Sequence, residues 1–216
     1  RTLQDLGAEV IKIEPPGVDV ARFAAPVNPN GVSGYYAQQN AGKRNICIDL
    51  NRPEAMEIAL ELCDQADILV ENFRPGTLAS FGLDYETLAL RNPGLVYVAI
   101  SGYGQGGPWR SRMAYAPTVQ AEAGFTHHSL RHFGDNLQAA QTDSLSHADV
   151  YAGLQAAIAV LAALNQRHHT GLGHVVVAHR RTLHQPRHRG DVDNFALALL
   201  QHRQERLAAL DYTHQV

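Results

Sequence analysis

The sequence predicts an α/β protein: a mostly parallel sheet with helices on both faces. Short apolar runs (Val10 to Ile13, Ile68 to Val70, Leu95 to Ser101) alternate with stretches whose apolar residues recur at helical spacing. The runs end in Pro-Gly or Gly-rich segments that turn the chain, at Pro15-Pro16-Gly17, Pro75-Gly76 and from Gly102 onward. Strands that alternate with helices pair in parallel, because each connection must cross back over a face of the sheet.

Arg1 to Leu6 reads as the last turns of a helix, capped by Gly7. Glu9 to Glu14 is a strand in which Val10, Ile11 and Ile13 are apolar. No strand precedes the opening helix and no Met begins the sequence. The chain is therefore expected to be a fragment lacking its first βα unit, with one sheet position unfilled and an edge exposed. Residues 18–42, rich in Gly, Pro, Asn and Ala, are expected to form a long loop. Asn45 to Leu50 is a second strand. Pro53 suits a first helical position, and Met56, Ala59, Leu60 and Cys63 follow at helical spacing, so Pro53 to Gln65 is an amphipathic helix. Ile68, Leu69 and Val70 have no polar break, which predicts a strand buried on both faces. A helix near Tyr85 to Asn92 and a strand at Leu95 to Ser101 repeat the pattern. The loop Gly102 to Pro108 tempts a phosphate-cradle assignment, but Pro108, Trp109 and Arg110 follow where a dinucleotide fingerprint needs a helix start. A long helix begins near Asp149 and carries Val150, Leu154, Ala157, Ile158, Leu161 and Leu164. His174 to His179 is a candidate last strand, and Asn194 to Leu210 a candidate terminal helix.

Composition excludes several functions. The 216 residues are 45% apolar, enough for a sizeable core, and the net charge of −3 gives no reason to expect nucleic acid or a membrane surface as partner. An anionic ligand must then be met by local cations. Cys47 and Cys63 fall in a strand and a helix and read as buried free thiols, which fits a reducing, cytoplasmic compartment. Val150 to Leu164, the longest apolar segment, is interrupted by Tyr151 and Gln155 and falls short of the roughly 20 residues of a bilayer span. His174, His179, His184 and His188 invite a metal reading, but Pro186 breaks their one helical pair and no carboxylate or thiolate joins them; no metal is expected.

Two places carry candidate chemistry. Ala66 to Gly76 reads A-D-I-L-V-E-N-F-R-P-G and sets Asn72, Phe73 and Arg74 just past a strand end, where open α/β sheets bind ligands. An amide, a ring and a guanidinium there can hold, stack on and neutralise a nucleotide-like ligand, although the residues by themselves favour a plain polar turn. Ser146 and Asp149 have the S-x-x-D spacing of a capping box. The same placement offers Asp149 as a carboxylate at a helix N-terminus, which favours negative charge, and a carboxylate can attack an activated acyl group. Spacing does not choose between cap and nucleophile.

Five segments in order resemble the family III CoA-transferases, which include formyl-CoA and carnitine CoA-transferases and the alpha-methylacyl-CoA racemases. They are G-A-E-V-I-K-I-E-P-P-G (Gly7 to Gly17), G-K-R-N-I-C-I-D-L-N-R-P-E (Gly42 to Glu54), A-D-I-L-V-E-N-F-R-P-G, A-Y-A-P-T-V-Q-A (Ala114 to Ala121), and H-A-D-V-Y-A-G-L-Q-A-A-I-A-V-L-A-A-L (His147 to Leu164) followed by T-G-L-G. The resemblance implies a Rossmann-like large domain over residues 1–173, a divergent or truncated tail over 174–216, and an interlocked homodimer in the whole protein. It implies transfer of coenzyme A from an acyl-CoA to a carboxylic acid, with CoA a substrate and no tightly bound cofactor. Asp149 falls on the family's nucleophile, which passes through an aspartyl anhydride and an aspartyl thioester. The family's CoA-contacting positions fall on Pro15, on Ile48, Asp49, Leu50 and Asn51, on Asn72, Phe73 and Arg74, and on Met113, Ala114 and Tyr115.

The sequence departs from the family in places. Ser80 stands where a basic residue is common, and Ala116 where an acid commonly follows Ala-Tyr. Racemases use a histidine–aspartate pair, and the histidine position holds Tyr115; phenols, ordinarily near pKa 10, are poor bases at neutral pH. Racemase-type proton transfer, a CoA-fold remnant without turnover, and a nicotinamide dehydrogenase using Glu14 to hold a ribose are the alternatives.

Overall fold

The computed structural model describes residues 1–132 and 146–180, with side chains placed for 1–129 and 146–180. The expected terminal helix at 194–210, and His184 and His188, lie outside the described residues.

The chain runs α1 (Thr2–Asp5), β1 (Ile11–Glu14), α2 (Gly34–Asn40), β2 (Arg44–Cys47), α3 (Pro53–Gln65), β3 (Ile68–Glu71), α4 (Tyr85–Arg91), β4 (Val96–Ser101), α5 (Ala116–Glu122), α6 (Phe125–His132), α7 (His147–Thr170) and β5 (Val175–His179). All strand pairs among the described residues are parallel, as expected. They form two sheets, β1-β2 and β3-β4-β5, with registers such as Lys12 opposite Asn45 and Val98 opposite Val176. β1, β2, β3 and β5 therefore each keep an edge that no described strand pairs with.

The core is built on β4, whose side chains alternate between two buried layers. Leu95, Tyr97 and Ala99 pack against Ala59 and Cys63 of α3, Leu88 of α4, and Leu78 and Leu83 between β3 and α4. Val96 and Val98 face the other way, onto Ala156, Ala159, Val160 and Ala163 of α7 and Val176 and Ala178 of β5. Helices thus cover both faces, the arrangement that the alternating pattern predicted. Alanines line the inner side of α7 and let it lie close on the sheet. Apart from Val160 and Leu164, which join the core, its larger apolar residues point away: Val150, Tyr151, Leu154, Ile158 and Leu161 are exposed.

Several expectations need correction. Val70 is 53% exposed, so β3 is not buried on both faces; among the described residues it pairs only with β4, at the end of the sheet order. Residues 18–42 are not one long loop. Asp19 accepts a hydrogen bond from Ala21 N to open a short 3₁₀ turn, Val20–Phe23, and Ser33 Oγ accepts from Tyr36 N to start α2. β2 stops at Cys47, and Cys47 is exposed at the end of that edge strand, whereas Cys63 is buried and burial pushes its thiol up to about 11. α7 has 24 residues and is long and apolar enough to cross a membrane, which the shorter segment marked in the sequence was not. It packs on β4, β5 and α5, as a core helix does.

Candidate active site at the strand ends

Where parallel strands end, backbone groups no longer pair with neighbours, and loops must supply side chains to finish the structure. After β1, Pro15 is exposed and its carbonyl accepts from Val18 N. The preceding Glu14 is spent within the fold. Its buried carboxylate accepts from Arg22 Nε (2.9 Å) and Nη2 (3.1 Å), Tyr36 Oη (2.6 Å) and Asn45 Nδ2 (2.5 Å), with Lys12 Nζ at 3.1 Å. These donors, Arg22 foremost, hold its carboxyl well below the usual carboxylate range. Glu14 has no lone pair left for a ribose hydroxyl, which removes the residue that the dehydrogenase alternative needed.

After β2, Asp49 Oδ1 accepts from Asn51 N (3.1 Å) and Asn51 Nδ2 (2.9 Å), a closed turn that lowers the Asp49 carboxyl. Ile48 is buried, so it can offer a ligand only its backbone; Leu50 is half-buried against the β4 core, and Asn51 is exposed. After β3, buried Glu71 accepts from Phe73 N at 2.7 Å, and burial raises its carboxyl above the ordinary range. This bond turns Asn72, Phe73 and Arg74 outward. All three are exposed, and Arg74 makes no ion pair with any described residue. At the departure Ser80, the hydroxyl donates to Thr77 O and closes a turn.

After β4, the glycine-rich loop serves close packing. A Cβ on Gly102 would fall 2.0 Å from Ala114 Cβ, and one on Gly104 would fall 2.3 Å from the His179 ring. Gly104 also has φ +92° and donates its N–H to Ser101 Oγ (2.9 Å). The loop thus presses the segment Met113, Ala114 and Tyr115 onto the end of β4. Met113 and Tyr115 are exposed, Ala114 is half-buried, and Ala116 opens α5 in a small core with Val119 and Ala148.

Asp149 lies in the first turn of α7, not before it, and Ser146 makes no side-chain cap, so the capping box does not form. The helix end is instead satisfied from α5: buried Gln120 Oε1 accepts from Ala148 N at 3.2 Å. Asp149 is thereby free of capping. Its Oδ1 lies 2.6 Å from Arg180 Nε, while Arg180 Nη1 donates to Ala114 O at 2.7 Å. The ion pair is close but not aligned as a hydrogen bond: Oδ1 and Nε are shut off from solvent and neither has a hydrogen-bond partner. The Asp149 side chain as a whole keeps 38% of its exposure. Arg180 and Gln120 are the residues that sequence reasoning missed. They bring Asp149 and Ala114 together, whereas Pro15, Asn51 and Asn72 to Arg74 line neighbouring strand ends without touching them. A separate cavity of about 310 Å³, lined by Lys12, Arg22, Tyr36, Asn40, Lys43 and Arg44 among others, contains none of the predicted site residues.

Residues 1–180 match the sequence model of CoA-transferase family III. A probable fatty acyl-CoA transferase of Mycobacterium tuberculosis is 39% identical over 178 residues, covering 82% of this chain and 44% of that protein. The succinyl-CoA:glutarate CoA-transferase of Mus musculus is 37% identical over 172 residues, 79% of this chain and 38% of its own length. Among solved structures, a CaiB/BaiF family protein from Brucella suis superposes with a TM-score of 0.77 at 33% identity, over 96% of this chain and 52% of that one. The chain thus spans about half the length of these proteins or less.

Proposed function

The chain belongs to CoA-transferase family III, and from that premise we propose that it carries the acyl-CoA-binding and nucleophile-bearing part of an enzyme that moves coenzyme A from an acyl-CoA to a carboxylic acid. The observation that carries this reading is Asp149. It stands in the first turn of a helix capped by another residue, with Oδ1 against a cation and the side chain still 38% exposed. A carboxylate is a weak nucleophile, but a thioester is an activated acyl donor, so Oδ2 attacks its carbonyl carbon and CoA thiolate leaves. The anhydride formed is attacked in turn by that thiolate at the aspartyl carbonyl, the donor acid departs, and an aspartyl thioester remains. The acceptor carboxylate attacks this thioester, and the same two exchanges in reverse hand CoA on and restore Asp149. The first-turn N–H groups offer positive potential to negative charge developing beside them.

CoA is a substrate in this scheme, and no tightly bound cofactor is needed. Its phosphates and adenine are met by Arg74, Asn72 and Phe73, by the backbone around Ile48 to Asn51, and by Pro15. Its thioester end meets Met113, Ala114 and Tyr115. The partial large domain covers residues 1–173, with β5 and the tail beyond it, and two copies interlock in the whole protein. The outward apolar side of α7, Val150, Tyr151, Leu154, Ile158 and Leu161, supports that association. With Tyr115 in place of a histidine, transfer is favoured over racemisation.

Asp149→Asn keeps the shape and removes the nucleophile. It abolishes CoA transfer by a full-length protein carrying this sequence, and because the shielded Arg180 loses its anion it also costs about 1–3 kcal/mol of stability, which leaves the protein folded. Hydroxylamine added to the wild type during turnover leaves a hydroxamate at residue 149, read by mass spectrometry. Transfer by Asp149→Asn at a rate near wild type would sink the proposal.

A further inference from the structure

We propose that Arg180 is the receptor for the carboxylate of the acceptor acid, which takes the electrostatic place of Asp149 each time Asp149 is acylated; this rests on the reading of Asp149 as nucleophile given above. Arg180 follows the last residue of β5, at the carboxyl end of the strands where parallel sheets hold ligands. Its side chain is only 17% exposed, and Nη1 is fixed by the Ala114 carbonyl at 2.7 Å. Nε, 2.6 Å from Asp149 Oδ1, has no solvent and no hydrogen bond. Asp149 supplies the only carboxylate paired with this guanidinium among the described residues.

The reaction removes that charge. When Oδ2 forms a bond to the donor's acyl carbon, and again when CoA sulfur replaces it, Asp149 becomes a neutral acyl group. A shielded guanidinium whose anion has been neutralised is costly unless another anion replaces it. The donor's carboxylate, once expelled, and the acceptor's carboxylate, once admitted, are both such anions. A carboxylate held by Arg180 sits beside the aspartyl carbonyl that it must attack, since Nε already lies against Asp149. When CoA thiolate finally takes the acceptor's acyl group, the Asp149 carboxylate is released and pairs with Arg180 again. The guanidinium therefore faces a carboxylate in the free enzyme, from Asp149, and in the aspartyl-thioester state, from the donor or acceptor acid. It selects acids over neutral acceptors, and while Asp149 is ionised the site is closed to a second anion.

The test needs no turnover. Succinate is titrated by calorimetry into the wild type, Asp149→Asn and the double variant Asp149→Asn with Arg180→Gln, with succinamide as a neutral control. A neutral amide at position 149 mimics the acylated state, so Asp149→Asn binds succinate at least about tenfold more tightly than the wild type, the worth of one hydrogen-bonded ion pair. The double variant returns to the wild-type value, and succinamide binds none of them better. Asp149→Ser repeats the comparison should Asp149→Asn fold poorly. Equal succinate affinity in the wild type and in the folded neutral variant overturns the proposal, as does a gain that survives Arg180→Gln. The hydroxamate measurement separates the two ideas. Hydroxamate at residue 149 without a gain in succinate binding defeats the Arg180 receptor alone; no hydroxamate defeats the acylation reading on which it rests.

Discussion

Replacing Glu14 by Gln tests the best-satisfied charge in the fold. The side chain is 3% exposed, and its two oxygens take donors from Arg22, Tyr36 and Asn45, with the Lys12 ammonium alongside and Asp19 N at 3.4 Å from Oε2. A Gln amide offers one acceptor oxygen. Its NH₂ end, placed where Oε2 was, points at Arg22 Nε and Asp19 N, so donor faces donor. Removing one partner of a buried pair typically costs about 3–5 kcal/mol. Two features reduce this. The Arg22 side chain is 37% exposed and regains water, and Lys12 keeps Asp19 as a partner. The expected loss is therefore about 3 kcal/mol, a fall in Tm of roughly 6–12 °C for a chain of this size. The sign with pH follows from the depressed carboxyl. Its contribution is complete above the unfolded-state value of about 4.3 and drains away as pH falls below it toward the folded-state value. Thermal melts followed by circular dichroism at about pH 7 and about pH 3 check both points: the gap between wild type and Glu14→Gln is wide at the first and narrows at the second. A gap under about 2 °C at neutral pH, or one that is the same at both, refutes the reasoning.

Arg74→Ala weakens CoA binding about tenfold or more, because a guanidinium on a phosphate is lost, and moves Tm by less than about 2 °C, because the side chain is exposed and supports nothing described; calorimetry with CoA and a thermal melt measure the two, and a stability collapse with unchanged affinity would favour the plain turn. Gly173→Ala tests the packing between β4 and the turn into β5. A Cβ there would lie 1.9 Å from Leu95 O, a rigid backbone atom, so the variant loses at least about 2 kcal/mol, or roughly 4–8 °C in Tm; an unchanged melting curve contradicts the geometry.

What the sequence made legible was whatever repeats locally. β4 and α3 announce themselves by apolar runs and helical spacing, and the structure places α3 at the predicted Pro53–Gln65. α2 was invisible because G-Y-Y-A-Q-Q-N has no apolar period and opens on Gly. It stands because Ser33 caps it and Tyr36 reaches Glu14, 22 positions away. The exposure of β3 was equally hidden. I-L-V reads as a doubly buried strand anywhere, and only the pairing order shows that nothing described flanks Val70.

The site divides in the same way, and the division explains its chemistry. Asp149 could be found from the sequence because helix starts and family segments are local patterns. Whether it was a cap or a nucleophile could not, since both need the same spacing from Ser146. The choice depends on Gln120, which takes the Ala148 N–H from 28 positions away, and on Arg180, which meets the carboxylate from across β5. A cap tied to its own helix N–H groups would have its lone pairs directed into the backbone. With Gln120 in that role, the Asp149 carboxylate has one oxygen against a guanidinium while its side chain stays 38% exposed. The long-range contacts thus relieve Asp149 of capping its own helix, and the proposed role as nucleophile depends on that relief. Gln120, buried on a helix without any contact to Asp149 required, is for this reason as much a part of the site as the residues that would touch CoA.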